Sequence, residues 1–251
     1  MHRFYLPPEK CSGNLLTLDD REAHHALTVL RLRAGERLMV LDGAGTELLC
    51  EAQPGERDRL TLRVAQRNVI PPPPCLITLV QAIPKGKLIE SIIQKATELG
   101  VHRVVPLISD RVATHLDDDS AAAKAEKWQH TAIEAIKQCG SAWLPRIETP
   151  VTPREYLALG EKFDLALIGS LQGDARHPRA YFQTFRQERQ REPQSLSVWI
   201  GPEGDFTPAE MNAAKSAGVQ PITLGRLVLR SETAATYALS VLNYELQAGP
   251  G

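Results

Sequence analysis

The chain has 251 residues, 43% of them hydrophobic, which is enough to bury the core of one large domain or two modest ones. Its formal net charge of −1 excludes a strong attraction to nucleic acids through total charge, so RNA binding needs a local basic patch. Four scattered cysteines without a C-x-x-C pair, and no stretch apolar enough for a leader or a membrane span, favour a cytoplasmic protein without disulfides, metal or membrane.

The first part of the chain is rich in strand patterns. Apolar positions at helical spacing predict one helix at residues 19–32. Short apolar stretches at residues 37–41, 46–51 and 60–67, separated by glycine turns, predict strands. This part of the chain therefore predicts a small β-rich barrel.

Four consecutive prolines, Pro71 to Pro74, interrupt these patterns. A proline run favours an extended spacer and cannot continue a helix or an inner strand. We therefore predict two domains, residues 1–72 and residues 73–251.

After the prolines, strand and helix patterns alternate. This alternation is typical of an α/β domain with a mostly parallel sheet. The sequence Thr207-Pro208-Ala209-Glu210 is a helix-start signal, with Thr207 as the capping residue and Glu210 completing a capping box. The predicted strands are residues 76–83, 101–108, 165–169, 196–201 and 221–224, and the predicted helices are residues 87–99, 121–138, 181–191, 208–217 and 231–246.

Two arginine-rich stretches offer a local basic patch, although each is equally consistent with the solvated face of a helix. The first contains Arg21, His24, His25, Arg31, Arg33 and Arg37, and the second contains Arg176, Arg179, Arg186, Arg189 and Arg191.

Two predicted strands end in glycine turns, at Gly201-Pro202-Glu203-Gly204 and at Leu224-Gly225. Glycine lets a ligand approach bare backbone, and ligands of open parallel sheets bind beyond the carboxyl ends of strands. Each turn is also consistent with a plain connection that binds nothing. Neither a P-loop nor the G-x-G-x-x-G fingerprint is present, which disfavours an ATPase or a doubly wound oxidoreductase.

Segments spread over nearly the whole chain carry a more specific pattern. They are His2 to Tyr5, His25 to Arg31 with Gly35, Lys85 to Lys87, Lys95 to Val101, Gln138-Cys139, Ile200 to Gly204 and Leu229 to Ala234. In this order and spacing they resemble the small-subunit (16S) ribosomal RNA uracil-N3 methyltransferases, which belong to the SPOUT class of S-adenosylmethionine (SAM) enzymes.

The resemblance implies a SPOUT-type parallel sheet with a trefoil knot, preceded by a PUA-like RNA-binding barrel. It implies SAM as the cofactor and small-subunit ribosomal RNA, within the assembled subunit, as the substrate. It also implies a homodimer in which the last helix packs against its partner. The matching cofactor-binding positions are Gly169, Ser170, Ile200, Gly201, Glu203, Gly204, Leu224, Gly225, Leu229 and Thr233.

For methyl transfer to N3 of uracil, the candidate catalytic residues are Arg230 and Glu232. Glu232 is expected to accept the N3 proton or orient the base, and Arg230 to stabilise charge on the uracil oxygens. A helix cap and an ion-pair partner remain the less favoured interpretation of these two residues. Phosphate contacts are expected from Arg3, Arg31, Lys85 and Lys87, although the two lysines also fit a solvated helix start.

The chain departs from the family pattern at three places. Asp205 stands where the family has a second glycine, and Leu227 stands where it has an arginine, with Arg226 one place early. Lys137 replaces a glutamate, which alters a charge expected to face RNA. The departures at Asp205 and Leu227 keep an alternative open, a catalytically silent RNA-binding assembly factor with the same fold.

Overall fold

A computed structural model of the chain describes residues 1–54, 59–111 and 118–247. The chain clusters into two compact units. The first contains Met1–Pro72 and Ile133–Leu144, and the second contains Pro73–Ala132 and Pro145–Gly251. The segment 133–144 thus joins the first unit, whereas the sequence analysis assigns it to the second domain.

The described part of the first unit contains a five-stranded sheet made of β1 (Arg3–Tyr5), β2 (Leu15–Leu18), β3 (Arg37–Leu41), β4 (Thr46–Ala52) and β5 (Leu60–Val69). In the order β1-β3-β4-β5-β2, β1 pairs with β3 in parallel and the other neighbours pair antiparallel. Alternate residues of β4 are buried, as expected for a sheet with one face on a core. The β-rich prediction is confirmed, but β1 and β2 lie at opposite edges, so these strands form an open mixed sheet.

The helix predicted at residues 19–32 is shorter than expected. It forms as α1 (Asp20–His24) and continues as a π-helical turn at His25–Val29. The Leu30 amide donates to the His25 carbonyl at 3.0 Å, and Arg31 then adopts a left-handed backbone with φ of 53°. A left-handed residue cannot continue a right-handed helix, so the helix ends before Arg31.

The turn between β3 and β4 packs against Trp143. The carboxylate of Asp42 accepts hydrogen bonds from the amides of Ala44 and Thr46 at 2.8 and 2.7 Å. Gly45 has a φ of 97°, and a Cβ placed on it would lie 2.5 Å from the indole ring of Trp143. Glycine is therefore required at Gly45 for both its backbone conformation and its close contact.

Replacing Gly45 by alanine should destabilise the first unit more than the same change at Gly35. Both positions have a left-handed φ and pay about 1–2 kcal/mol for a Cβ, but no atom lies within 4 Å of a Cβ at Gly35. Contact with Trp143 should add roughly 1–3 kcal/mol at Gly45. Hydrogen exchange of the β3 and β4 amides measures the difference, and equal protection in the two variants would contradict this packing.

The described part of the second unit contains a six-stranded sheet made of β6 (Leu76–Ala82), β7 (Arg103–Leu107), β8 (Arg146–Ile147), β9 (Leu165–Gly169), β10 (Ser195–Ile200) and β11 (Gln220–Ile222). Its order is β11-β9-β10-β6-β7-β8, and every neighbouring pair is parallel. The predicted parallel α/β sheet is confirmed. Apart from Leu76 at the start of β6, the apolar side chains of β6 and β10 are buried, as expected for inner strands covered on both faces.

The described helices after β6 are α2 (Leu88–Glu98), α3 (Asp118–Cys139), α4 (Pro153–Ala158), α5 (Pro178–Arg189), α6 (Pro208–Ser216) and α7 (Ser231–Gln247). All except α4 are predicted from the sequence, although α5 begins three residues earlier than expected. The His177 ring nitrogen Nδ1 accepts from the Arg179 amide at 3.2 Å and caps this earlier start. No helix in the described residues is long and apolar enough to cross a bilayer.

Capping boxes begin both α4 and α6. In α6 the Thr207 hydroxyl accepts from the Glu210 amide, and the Glu210 carboxylate accepts from the Thr207 amide, as predicted. The same exchange links Thr152 and Glu155 at the start of α4. The sequence Thr152-Pro153-Arg154-Glu155 repeats the Thr207 signal, so α4 carries a helix-start pattern that the sequence analysis overlooked.

The strand order determines where the site forms. Because β9, β10 and β6 are parallel neighbours, their carboxyl ends lie at the same edge of the sheet. The two glycine turns follow β10 and β11, and β9 lies between those strands. Segments far apart in sequence are therefore brought to one edge.

Candidate functional site

A cavity of about 540 Å³ lies at this edge of the parallel sheet. Its volume falls in the range usual for sites that bind small molecules, roughly 300–1,000 Å³. Its walls come from the ends of β9 and β10 and from the segment between β11 and α7. The lining residues are 169–173, 175, 200–205, 223–229, 231 and 234.

The structure brings together all the predicted cofactor-binding residues except Thr233. Thr233 is exposed in the first turn of α7 and does not line the cavity, whereas its neighbours Ser231 and Ala234 do. The predicted residues that line the cavity are Gly169, Ser170, Ile200, Gly201, Glu203, Gly204, Leu224, Gly225 and Leu229.

Glycines expose bare backbone along these walls. Gly225 has a φ of 116°, and a Cβ added there would meet no atom within 4 Å. A side chain would therefore enter the open space of the cavity, and glycine leaves that space for a ligand. At Gly201 a Cβ would approach the Asp205 carboxylate to 3.0 Å, so this turn is also tightly packed on its protein side.

The carboxylate of Glu203 holds the turn after β10 to the loop between β6 and α2. Its Oε1 atom accepts a hydrogen bond from the Lys85 amide at 3.0 Å. Glu203 thus lines the cavity with one carboxylate oxygen already engaged by the protein. The contact links a predicted cofactor-binding residue to a predicted RNA-binding loop.

Two residues that no sequence motif indicated contact this turn and the helix that follows it. The Arg111 guanidinium donates to the Gly204 carbonyl, and a Cβ on Gly204 would lie 3.4 Å from the Arg111 side chain. The Asp110 amide donates to the Glu210 carboxylate at 2.9 Å. Both contacts join residues about a hundred positions apart, beyond the reach of a local pattern.

Arg230 and Glu232 flank the cavity without lining it. Arg230 is exposed immediately before α7, and Glu232 is half-buried in the first turn of that helix. Within the described residues neither side chain forms a hydrogen bond or an ion pair, so the ion-pair interpretation gains no support. Both groups remain available to a substrate at the rim.

The predicted RNA-binding residues differ in their surroundings. The Arg3 guanidinium donates to the Gln138 carbonyl at 3.0 Å and so caps the last turn of α3. Arg31 is exposed on its left-handed turn. Lys85 and Lys87 are exposed beside the start of α2, and their ammonium groups have no carboxylate partner among the described residues.

The second arginine-rich stretch is largely occupied by ion pairs. Arg191 donates to both carboxylate oxygens of Asp164 at 2.7 Å and lowers the pKa of that carboxyl to about 2. Arg179 pairs with the buried carboxylate of Glu245 at 2.8 Å. These partners favour a structural role for this stretch over phosphate binding.

All three departures from the family pattern take a definite place in the structure. Lys137 is only 8% exposed and pairs with Glu22 at 2.7 Å, so the expectation that it faces RNA is wrong. Leu227 is 78% exposed and lines the cavity mouth beside the exposed Arg226.

Asp205 closes the turn after β10 in a left-handed conformation. Its φ is 61°, its amide donates to the Pro202 carbonyl at 2.9 Å, and its carboxylate accepts from the Phe206 amide at 2.8 Å. The carboxylate therefore binds its own backbone at this position, which is a known way for aspartate to tolerate φ above zero.

Replacing Asp205 by alanine should destabilise the protein more than replacing it by glycine. Both changes remove the bond to the Phe206 amide, but only alanine keeps a Cβ at a φ of 61°, which costs about 1 kcal/mol more than glycine. Thermal unfolding of the two variants gives the difference. If they melt at the same temperature, the left-handed turn is not present in solution.

In the described residues no cluster of three or more histidine, cysteine, aspartate or glutamate side chains is arranged to hold a metal ion. The cavity combines backbone amides, apolar side chains and a few charged groups. Such a lining suits a polar small molecule with an apolar part.

Two families match the chain. The family described as RNA methyltransferase domain matches residues 71–243, which is more than half of the chain. The family described as RNA methyltransferase PUA domain matches residues 18–65.

Named relatives and solved structures agree with these matches. Ribosomal RNA small subunit methyltransferase E of Synechocystis sp. is 31% identical over 98% of this chain and 78% of its own length. The same enzyme from Neisseria gonorrhoeae, solved bound to S-adenosyl methionine, is 31% identical with a TM-score of 0.83 over 96% of each chain. A Legionella pneumophila protein described as a methyltransferase, solved with its bound cofactor SAM, is 33% identical with a TM-score of 0.86 over 96% of each chain.

Proposed function

This chain belongs to the ribosomal RNA small subunit methyltransferase E family, and on that premise we propose that it methylates N3 of a specific uridine in 16S ribosomal RNA, using SAM. One observation carries the proposal. The residues that the family pattern assigns to the cofactor converge, with one exception, on a single cavity. The substrate requires action in the cytoplasm, where ribosomal subunits are assembled.

The cavity fits SAM in size and chemistry. Its volume of about 540 Å³ is sufficient, and its glycine walls leave backbone groups open to a polar ligand. Residues of the turn after β10 and of the segment after β11 would hold the methionine and adenosine parts. Bound SAM supplies a methyl group that its sulfonium already activates.

The protein must then orient the uracil and remove its N3 proton. Positioning accounts for much of the acceleration in such a reaction, because the attacking nitrogen and the methyl carbon must be in line. Glu232 accepts the N3 proton or a hydrogen bond from it, and Arg230 stabilises the negative charge that develops on the uracil oxygens. The absence of internal partners for both side chains among the described residues supports these roles.

The RNA-binding role belongs to the first domain, residues 1–72, and the methyltransferase role to residues 73–251. The match of residues 18–65 to a PUA domain supports the first assignment. The resemblance also leads us to propose a trefoil knot in the second domain. Arg3, Arg31, Lys85 and Lys87 contribute positive charge toward RNA phosphates, and no metal or membrane takes part.

A homodimer is part of the same proposal. One face of α7 carries an exposed stripe at helical spacing, which includes the large side chains Tyr237 and Tyr244. Leu227 and Val228 are also exposed, beside the cavity. Exposed large apolar side chains of this kind favour packing against a second copy.

The methylated uridine can be identified by comparing ribosomes from cells that lack the gene with ribosomes from cells in which it is restored. Mapping N3-methylated uridines before and after the gene is restored should reveal one site in 16S ribosomal RNA that disappears and returns. Calorimetry with SAM tests the alternative, a silent RNA-binding assembly factor. A protein that binds RNA but neither binds SAM nor restores a methylated uridine would support that alternative.

Glu232→Gln should lower turnover about 10²- to 10⁴-fold because the amide cannot accept the N3 proton. Its affinity for SAM should not change, since Glu232 does not line the cavity. Single-turnover methyl transfer and calorimetry measure the two quantities. Glu188→Gln, at an exposed position of α5, is the matched control and should retain full turnover. Unchanged turnover in Glu232→Gln would exclude this carboxylate as the base.

Arg31→Ala should weaken RNA binding and reduce its dependence on salt. Loss of one phosphate contact lowers the slope of log affinity against log salt concentration by about 0.7–0.9. Fluorescence anisotropy with a 16S RNA fragment at several salt concentrations measures this slope. Arg191→Ala should leave it unchanged, because Arg191 is paired with Asp164. A slope in Arg31→Ala that matches the unmodified protein rules out the contact.

A further inference from the structure

A buried chain of hydrogen bonds joins three parts of the second unit at the cavity. Gln81, near the end of β6, is 0% exposed, and its Nε2 atom donates to the Ser231 hydroxyl at 2.9 Å. The Ser231 hydroxyl donates in turn to the Gly201 carbonyl at 2.8 Å. The chain therefore connects a central strand, the first residue of α7 and the glycine turn after β10.

The direction of these bonds is determined by the groups themselves. A hydroxyl has one proton, and Ser231 uses it on the Gly201 carbonyl, which can only accept. Ser231 must therefore accept from Gln81, whose amide nitrogen also donates to the Ala82 carbonyl at 2.8 Å. The proton of Ser231 is thus directed at the turn and not at a ligand.

Gln81 lies behind the cavity surface. Gly201 and Ser231 line the cavity, whereas Gln81 does not. The Gln81 Oε1 atom is buried and has no partner among the described residues. A buried polar atom without a partner is destabilising, so packing alone would be better served by an apolar side chain of similar volume.

We propose that Gln81 is a positioning residue for the methyl-donor site, which acts through Ser231 to hold the Gly201 carbonyl and the glycine turn in the geometry that binds SAM. The inference rests on the proposed function, because it names the support of the same cofactor site. According to this inference, the affinity for SAM depends on Ser231, which lines the cavity, and on Gln81, which lies behind the cavity wall.

The variants Gln81→Met and Ser231→Ala, alone and together, break the chain at its two side-chain links. Each single change should weaken SAM binding about tenfold, as for the loss of one buried hydrogen bond, and leave kcat at saturating SAM nearly unchanged. The double variant should bind no more weakly than the singles, because all three remove the same connection. Calorimetry gives the Kd, and methyl transfer to small ribosomal subunits gives KM and kcat.

Two further variants separate positioning from general stability. Ser231→Thr keeps the hydroxyl and should bind SAM with nearly the affinity of the unmodified protein, in contrast to Ser231→Ala. Ser197→Ala is the matched control, because Ser197 lies in β10, is 1% exposed and has a hydroxyl without a partner among the described residues. It should bind SAM as tightly as the unmodified protein.

Unchanged SAM affinity in Ser231→Ala, or additive losses in the double variant, would overturn the inference even if the melting temperature falls. If Gln81→Met does not fold, Gln81→Leu provides the same test with another apolar side chain. An unmodified protein that fails to bind SAM overturns the proposed function and this inference with it. Normal binding by the unmodified protein and by all variants overturns the inference alone.

Discussion

The site depends on the parallel pairing of β10 with β9 on one side and β6 on the other. This pairing places the turn that follows Ile200 between the ends of two neighbouring strands. It is secured by the core beneath it, where Trp199 packs edge-on against Tyr156 and Phe206 at ring distances of 5.4 and 6.1 Å. A shift of β10 would move the turn and its core anchors together.

The glycine turn after β10 is restrained by contacts from elsewhere in the chain. Glu203 binds the Lys85 amide, Arg111 binds the Gly204 carbonyl, and Ser231 binds the Gly201 carbonyl. Each restraint comes from a different segment, so the turn is held in one conformation without any side chain filling the cavity. This arrangement reconciles bare backbone, which a ligand can approach, with the rigidity that a methyl-donor site requires.

The positive charge of the chain is divided between structural and available groups. Arg191 and Arg179 are committed to carboxylates, and Lys137 is buried against Glu22. Arg31 and Lys85 are exposed and are not paired with a carboxylate within the described residues. With a net charge near zero, the proposed RNA surface depends on this local selection of unpaired cations rather than on the total.

The sequence by itself determined the features that depend on near neighbours. The capping box at Thr207 and the glycine turns follow from patterns a few residues long. The parallel α/β class follows from the alternation of strand and helix patterns along the chain. Only the tertiary structure decided that Lys137 is buried and that Gln81 and Arg111 support the turn. Such contacts join residues brought together by the order of strands in the sheet, which local patterns do not encode, because hydrogen-bond partners far apart in sequence are selected only when the whole sheet has assembled.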